Sequence, residues 1–114
     1  MTKAERIIEM LRNPDLVSVK CECNEWLSDC DGLTGGLLDF DAHYINMMDG
    51  TYDVIINYED GGIYRPLNGD EKVSLDYVID DILYRLYGAN DNQLRYIFCM
   101  YKNGTTASLD CIDD

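Results

Sequence analysis

The chain has 114 residues, enough for one domain around a single buried core. Hydrophobic residues make up 46% of it, and nine tyrosines accompany Ile, Leu and Val in periodic runs, which excludes a disordered acidic tail. Its formal charge of −13, from 22 acidic against 9 basic residues, disfavours direct contact with nucleic acid or an anionic membrane and points to a positively charged partner.

Thr2 and Glu5 have capping-box spacing, and Ala4, Ile7, Ile8 and Leu11 recur at helical intervals, so a short amphipathic helix is expected before Pro14. No run resembles a signal peptide or a membrane span, and a cytoplasmic protein is expected. From Leu16 to Cys23, Val17, Val19, Cys21 and Cys23 alternate with Ser18, Lys20 and Glu22, as in a half-buried strand ending near Asn24. Residues 24–36 are rich in turn formers and read as a loop.

Two strands, Leu37 to Met48 and Thr51 to Glu59, flank Asp49-Gly50, which reads as a two-residue hairpin turn. That turn sets Met47, Ile45, His43 and Asp41 against Tyr52, Val54, Ile56 and Tyr58. Ile63-Tyr64-Arg65 is a third strand of this meander, cut short by Pro66. Ser74 caps a second helix, over residues 74–87, whose Leu75, Val78, Ile79, Ile82, Leu83 and Leu86 form one apolar stripe stopped by Gly88. Residues 94–101 and 105–112 flank Asn103-Gly104, a second two-residue turn, which would set Met100, Phe98 and Tyr96 against Ala107, Leu109 and Cys111. The order α-β-β-β-β-α-β-β predicts one α+β domain spanning 1–114, a mainly antiparallel sheet with two amphipathic helices packed on it.

Residues 21–64 contain ten carboxylates and not one Lys or Arg. Carboxylates at i and i+2 of a strand, such as Asp39 and Asp41, lie about 6.6–6.8 Å apart. That is roughly the gap between successive phosphates of one nucleic-acid strand. Held on a rigid scaffold, such groups can occupy the Arg/Lys groove of a nucleic-acid-binding protein, with tyrosines as anchors. The candidate partner-binding residues are Asp29, Asp31, Asp39, Asp41, Asp49, Asp53, Tyr58, Glu59 and Asp60, with Asp76 and Asp80 on the second helix. Asp76 and Asp80 repel each other at i, i+4, so that helix face is not arranged for helix stability alone.

Other chemistry is weakly supported. Cys21 and Cys23 share the buried face of a strand and lack the spacing of a zinc knuckle, so they read as core residues. Asp29-Cys30-Asp31-Gly32 begins like a calcium loop, but Phe40 stands where an EF-hand needs its glutamate. His43 has no serine or cysteine beside it in the expected register, and Asp39 with Asp41 would need a pocket that splits their pKa values to act as acid and base. No phosphate-cradling glycine loop is present. Neither a cofactor, a metal nor enzymatic activity is expected.

In size, charge and lack of catalytic residues the chain resembles the small acidic inhibitors of phages and mobile elements, including anti-CRISPR and anti-restriction DNA mimics. The resemblance is compositional and carries no residue roles. It implies a stoichiometric blocker of a nuclease's or CRISPR effector's nucleic-acid site. The alternatives are a toxin-neutralising immunity protein, a small metal-dependent module using Asp39, Asp41 and His43, and a housekeeping interaction domain. The oligomeric state is left open.

Overall fold

Thr2 Oγ1 accepts a hydrogen bond from the Glu5 N–H at 3.1 Å while Glu5 Oε1 accepts one from the Thr2 N–H at 3.2 Å, and this reciprocal cap starts α1 (Lys3–Leu11). It belongs to a computed structural model that describes residues 1–28, 35–58, 61–64, 71–87 and 92–111. The other elements are β1 (Leu16–Ser28), β2 (Gly35–Asn46), β3 (Thr51–Tyr58), β4 (Ile63–Tyr64), β5 (Val73–Ser74), α2 (Leu75–Tyr87), β6 (Asn92–Tyr101) and β7 (Thr106–Asp110). The fold is α+β, as the sequence predicts, with one short strand, β5, that the pattern did not announce.

All strand pairings are antiparallel, in the order β4-β3-β2-β1-β6-β7, and β5 pairs with the start of β3 on the same side as β4. The sheet therefore has β1 and β2 at its centre although both lie early in the chain. Val19, Cys21, Phe40, Ala42, Tyr44, Val54, Ile97 and Cys99 are buried on one face, in one core with Ile7 and Leu11 of α1 and Val78, Ile79 and Ile82 of α2. Each large apolar side chain buried in this way contributes roughly 1.5–3 kcal/mol. Ser74 Oγ accepts from the Tyr77 N–H at 3.2 Å, which fixes the start of α2.

Two expectations are corrected by the turns. Asp49-Gly50 and Asn103-Gly104 are not two-residue loops. Each pair fills the last two places of a longer turn closed by threonine. The Thr51 N–H donates to Asp49 Oδ1 and the Thr105 N–H to Asn103 Oδ1, both at 3.0 Å. Gly50 at φ 90° and Gly104 at φ 82° take the left-handed conformation that a Cβ disfavours. The closing backbone bonds run from the Met47 N–H to the Thr51 carbonyl at 2.9 Å and from the Tyr101 N–H to the Thr105 carbonyl at 3.0 Å.

One extra turn residue shifts each register by one. Phe40 opposes Tyr58, Asp41 opposes Asn57 and Tyr44 opposes Val54 in β2–β3, while Ile97 opposes Leu109 and Tyr96 opposes Asp110 in β6–β7. Because side chains alternate with period two, the shift changes which residues meet across each hairpin.

The loop expected over residues 24–36 is also corrected at both ends. Strand pairing continues through Glu25 with Leu38, Trp26 with Leu37, Leu27 with Gly36 and Ser28 with Gly35. Turn-forming composition is outweighed there by backbone pairing that extends from the central β1–β2 ladder. Residues 29–34 lie outside the described residues.

Candidate binding surface

Ile7 and Leu11 of α1 and Val78, Ile79 and Ile82 of α2 share one core with the buried face of the sheet, and the register fixes what the other face presents. Asp110, Tyr96, Glu22, Asp41, Asn57 and Ile63 stand opposite one another from β7 through to β4, forming one row across the strands. The next row is Ser108, Phe98, Lys20, His43 and Ile55, and the next is Thr106, Met100, Ser18, Ile45 and Asp53. Successive rows are two residues apart along a strand, or about 6.6–6.8 Å.

A bulge shapes the acidic end of this face. Glu22 opposes Tyr96 but Cys23 opposes Leu94, so Arg95 is the extra residue of β6. It is exposed, and its guanidinium Nη1 lies 3.9 Å from Asp39 Oδ1. Glu22, Asp39, Asp41 and Asp110 line a depression of about 540 Å³ together with Arg95 and Tyr96. Among the described residues no group of three or more His, Cys, Asp or Glu side chains is placed to hold one metal ion. The carboxylates are spread around the depression, an arrangement that suits several separate cationic groups.

Sequence-distant cations reach several of these acids. Lys20 Nζ is 3.5 Å from Asp41 Oδ2, Lys72 Nζ is 4.0 Å from Asp53 Oδ1 and Arg12 Nη2 is 3.1 Å from Asp76 Oδ1. The pairs at Asp39, Asp41 and Asp76 are substantially solvated, and such pairs are worth about 0–1 kcal/mol. Exchanging them for other cations would therefore cost little.

The predicted site residues that are described fall into four places. Asp39, Asp41 and Asp53 are on the open sheet face. Asp49 sits exposed in the β2–β3 turn, where hydrogen bonds from the Thr51 hydroxyl and N–H hold its carboxyl below the usual range. Asp76 and Asp80 are exposed on α2, alongside exposed Tyr77, Tyr84 and Tyr87. Tyr58 does not oppose Asp41 as expected, but it lines a smaller depression with Asp39, Asp41 and Asn57. The register shift sets it against Phe40, with ring centroids 5.8 Å apart, on the core side of the sheet. Asp29, Asp31, Glu59 and Asp60 lie outside the described residues.

Glu22, Asp110 and Tyr96 join the surface without having been singled out. Glu22 required knowing that β1 is flanked by both β2 and β6, and Asp110 required the correct β6–β7 register. His43 lies between Lys20 and Ile55 in the second row; burial and the Lys20 charge hold its pKa below the usual value against the pull of Asp41. Cys21, Cys23 and Cys99 are core residues whose thiols burial pushes upward, Cys23 to about 12 and Cys99 to about 11. Protonated and enclosed, they are poor nucleophiles. No helix among the described residues is long and apolar enough to cross a membrane. Comparison with protein families, characterised proteins and solved structures finds no match to the chain.

Proposed function

We propose that the chain is a stoichiometric inhibitor that lays an acidic, tyrosine-containing surface over the basic nucleic-acid-binding site of a nuclease, a CRISPR effector being one such target. The observation that carries this reading is the gathering of Glu22, Asp39, Asp41 and Asp110 around one depression beside Tyr96, on the sheet face opposite the buried core residues. The reading takes both helices as the packed back of the sheet, which leaves the opposite face for the partner. Target and inhibitor would meet in the cytoplasm, with no cofactor and no direct nucleic-acid contact by this chain.

A basic groove built for phosphates would find here carboxylates at similar spacing, able to accept charge-assisted hydrogen bonds, and a half-buried aromatic ring to pack against. Net charge of −13 would speed encounter with such a groove at low ionic strength. The test is capture of host proteins on the immobilised chain, followed by elution with duplex DNA or single-stranded RNA and by cleavage assays on the eluted nuclease. Release by nucleic acid, inhibition of cleavage at equimolar ratio, and loss of both in Asp39→Asn/Asp41→Asn are expected. Capture that survives high salt and is indifferent to nucleic acid would overturn the proposal.

A further inference from the structure

The acidic row does not stand alone. The solvent face of an antiparallel sheet is ordinarily polar, yet the two rows beside the acids hold Phe98 and Ile55, on either side of Lys20 and His43, then Met100 and Ile45, on either side of Ser18. Met100 is 45% exposed and Ile63, at the end of the acidic row, is 70% exposed, while Phe98, Ile45 and Ile55 are half-buried. Tyr96, Phe98 and Met100 follow one another at i, i+2 on β6, so the apolar strip is continuous along that strand and is joined to the acids through Tyr96.

From this juxtaposition we infer that the open face docks a basic amphipathic segment of a protein partner, with Lys or Arg side chains meeting Glu22, Asp41 and Asp110 and apolar side chains covering Phe98, Met100, Ile45 and Ile55. This rests on the reading that the acidic row meets a cationic partner, and it adds what that partner must look like. The spacing makes the requirement specific. Acids and apolar groups are one row apart, about 6.6–6.8 Å, so one segment must carry both kinds of side chain on adjoining sides. An amphipathic helix does so, because its residues at i and i+3 or i+4 have Cβ atoms about 5–6 Å apart. Nucleic acid meets the wrong charge here. A second copy would bring two highly negative molecules together.

Two probes of equal charge separate the electrostatic part from the apolar part: decalysine, and a helical peptide alternating Lys and Leu faces. Amide chemical shifts of the labelled full chain report where each binds. The amphipathic peptide is expected to perturb His43, Ile45, Ile55, Phe98 and Met100 as well as Glu22 and Asp41, and to bind at least tenfold more tightly than decalysine. Phe98→Ser, and separately Met100→Ser, should weaken the amphipathic peptide at least fivefold and leave decalysine within twofold. Equal affinity of the two peptides, with decalysine still mapping to Glu22 and Asp41, overturns the inference and leaves the acidic reading standing. Binding of both peptides at Asp80 and Tyr84 on α2, or at neither face, overturns both. Concentration-dependent shifts on the open face without peptide would identify a second copy as the occupant and also overturn the inference.

Discussion

Replacing Asp81 by alanine should cost about 3 kcal/mol, because this carboxylate ties α2 to the centre of the sheet. The Tyr44 hydroxyl, on a fully buried side chain of β2, donates to Asp81 Oδ2. Arg85, one turn further along α2, places its Nε 3.6 Å from the same oxygen and its guanidinium carbon 5.3 Å from the centre of the Phe40 ring. The Arg85 and Asp81 side chains are 14% and 23% exposed, so this pair is far drier than those at the surface.

A hydrogen bond to a charged group contributes about 1.5–3 kcal/mol, and breaking a fully buried pair by removing one partner costs about 3–5 kcal/mol. Residual exposure lets Arg85 recover part of its hydration, which places the total near the lower bound. Against a domain stability of about 5–15 kcal/mol, the loss is large. In urea, with a slope of about 1–3 kcal/mol/M, the midpoint should fall by 1 M or more. Tyr44→Phe should cost about 1.5–2 kcal/mol, and its effect should nearly vanish in the Asp81→Ala background. Arg85→Met in that background should restore stability by removing an unpaired cation from beside Phe40. An Asp81→Ala loss below about 0.5 kcal/mol, or strict additivity with Tyr44→Phe, would refute the network.

Gly104→Ala should lower stability by about 1 kcal/mol, since the turn holds φ at 82° with open space around the missing Cβ; an unchanged urea midpoint would show that the turn relaxes freely. Buried thiols make the protein alkali-sensitive: Cys23 and Cys99 titrate at about 12 and 11 when folded, whereas an unfolded thiol titrates near 8.5. Their raised values contribute stability that is complete below about pH 8.5 and is lost as pH rises toward 11–12, at about 1.4 kcal/mol per pH unit for each thiol held protonated. Urea midpoints in reducing buffer should therefore fall above pH 9, less steeply in Cys99→Ala, and a flat profile would contradict the burial. Lys20→Gln/Arg95→Gln removes the two cations nearest the acidic row and should tighten decalysine binding at low salt about two- to fivefold, an effect that about 0.15 M salt largely screens; calorimetric titration showing no change would mean those side chains do not shape the field.

Local pattern carried much of the fold. The Thr2/Glu5 cap, the alternation of Val19, Cys21 and Cys23, and the α2 stripe through Val78, Ile79 and Ile82 all depend on neighbours a few residues away, and they appear as the sequence indicates. Register proved harder to read. An Asx-Gly pair serves equally as the whole of a two-residue turn or the end of a three-residue one; the threonines at 51 and 105, bonded to Asp49 and Asn103, were the available signal. β5 and the far half of β1 are beyond local rules, because Val73 gains its partner from Tyr52 and the β1–β2 pairing at Trp26 continues a ladder set elsewhere.

The acidic stretch lost some of its force and gained a location. Lys20, two residues before Glu22, and Arg95, brought in from β6, lie 3.5 Å from Asp41 and 3.9 Å from Asp39, so the acids around the depression are partly compensated. Charge alone therefore makes a weaker recognition surface than the sequence implied, and it cannot distinguish one basic protein from another. The apolar rows change that argument. In the proposed complex Phe98, Met100, Ile45 and Ile55 would add burial energy that does not fade with salt, while the acids would steer approach and fix orientation. A partner that satisfied only the acids would exchange for counterions, and one that satisfied only the apolar strip would leave carboxylates desolvated without a mate. On the proposed docking, specificity would come from requiring both within one row of each other.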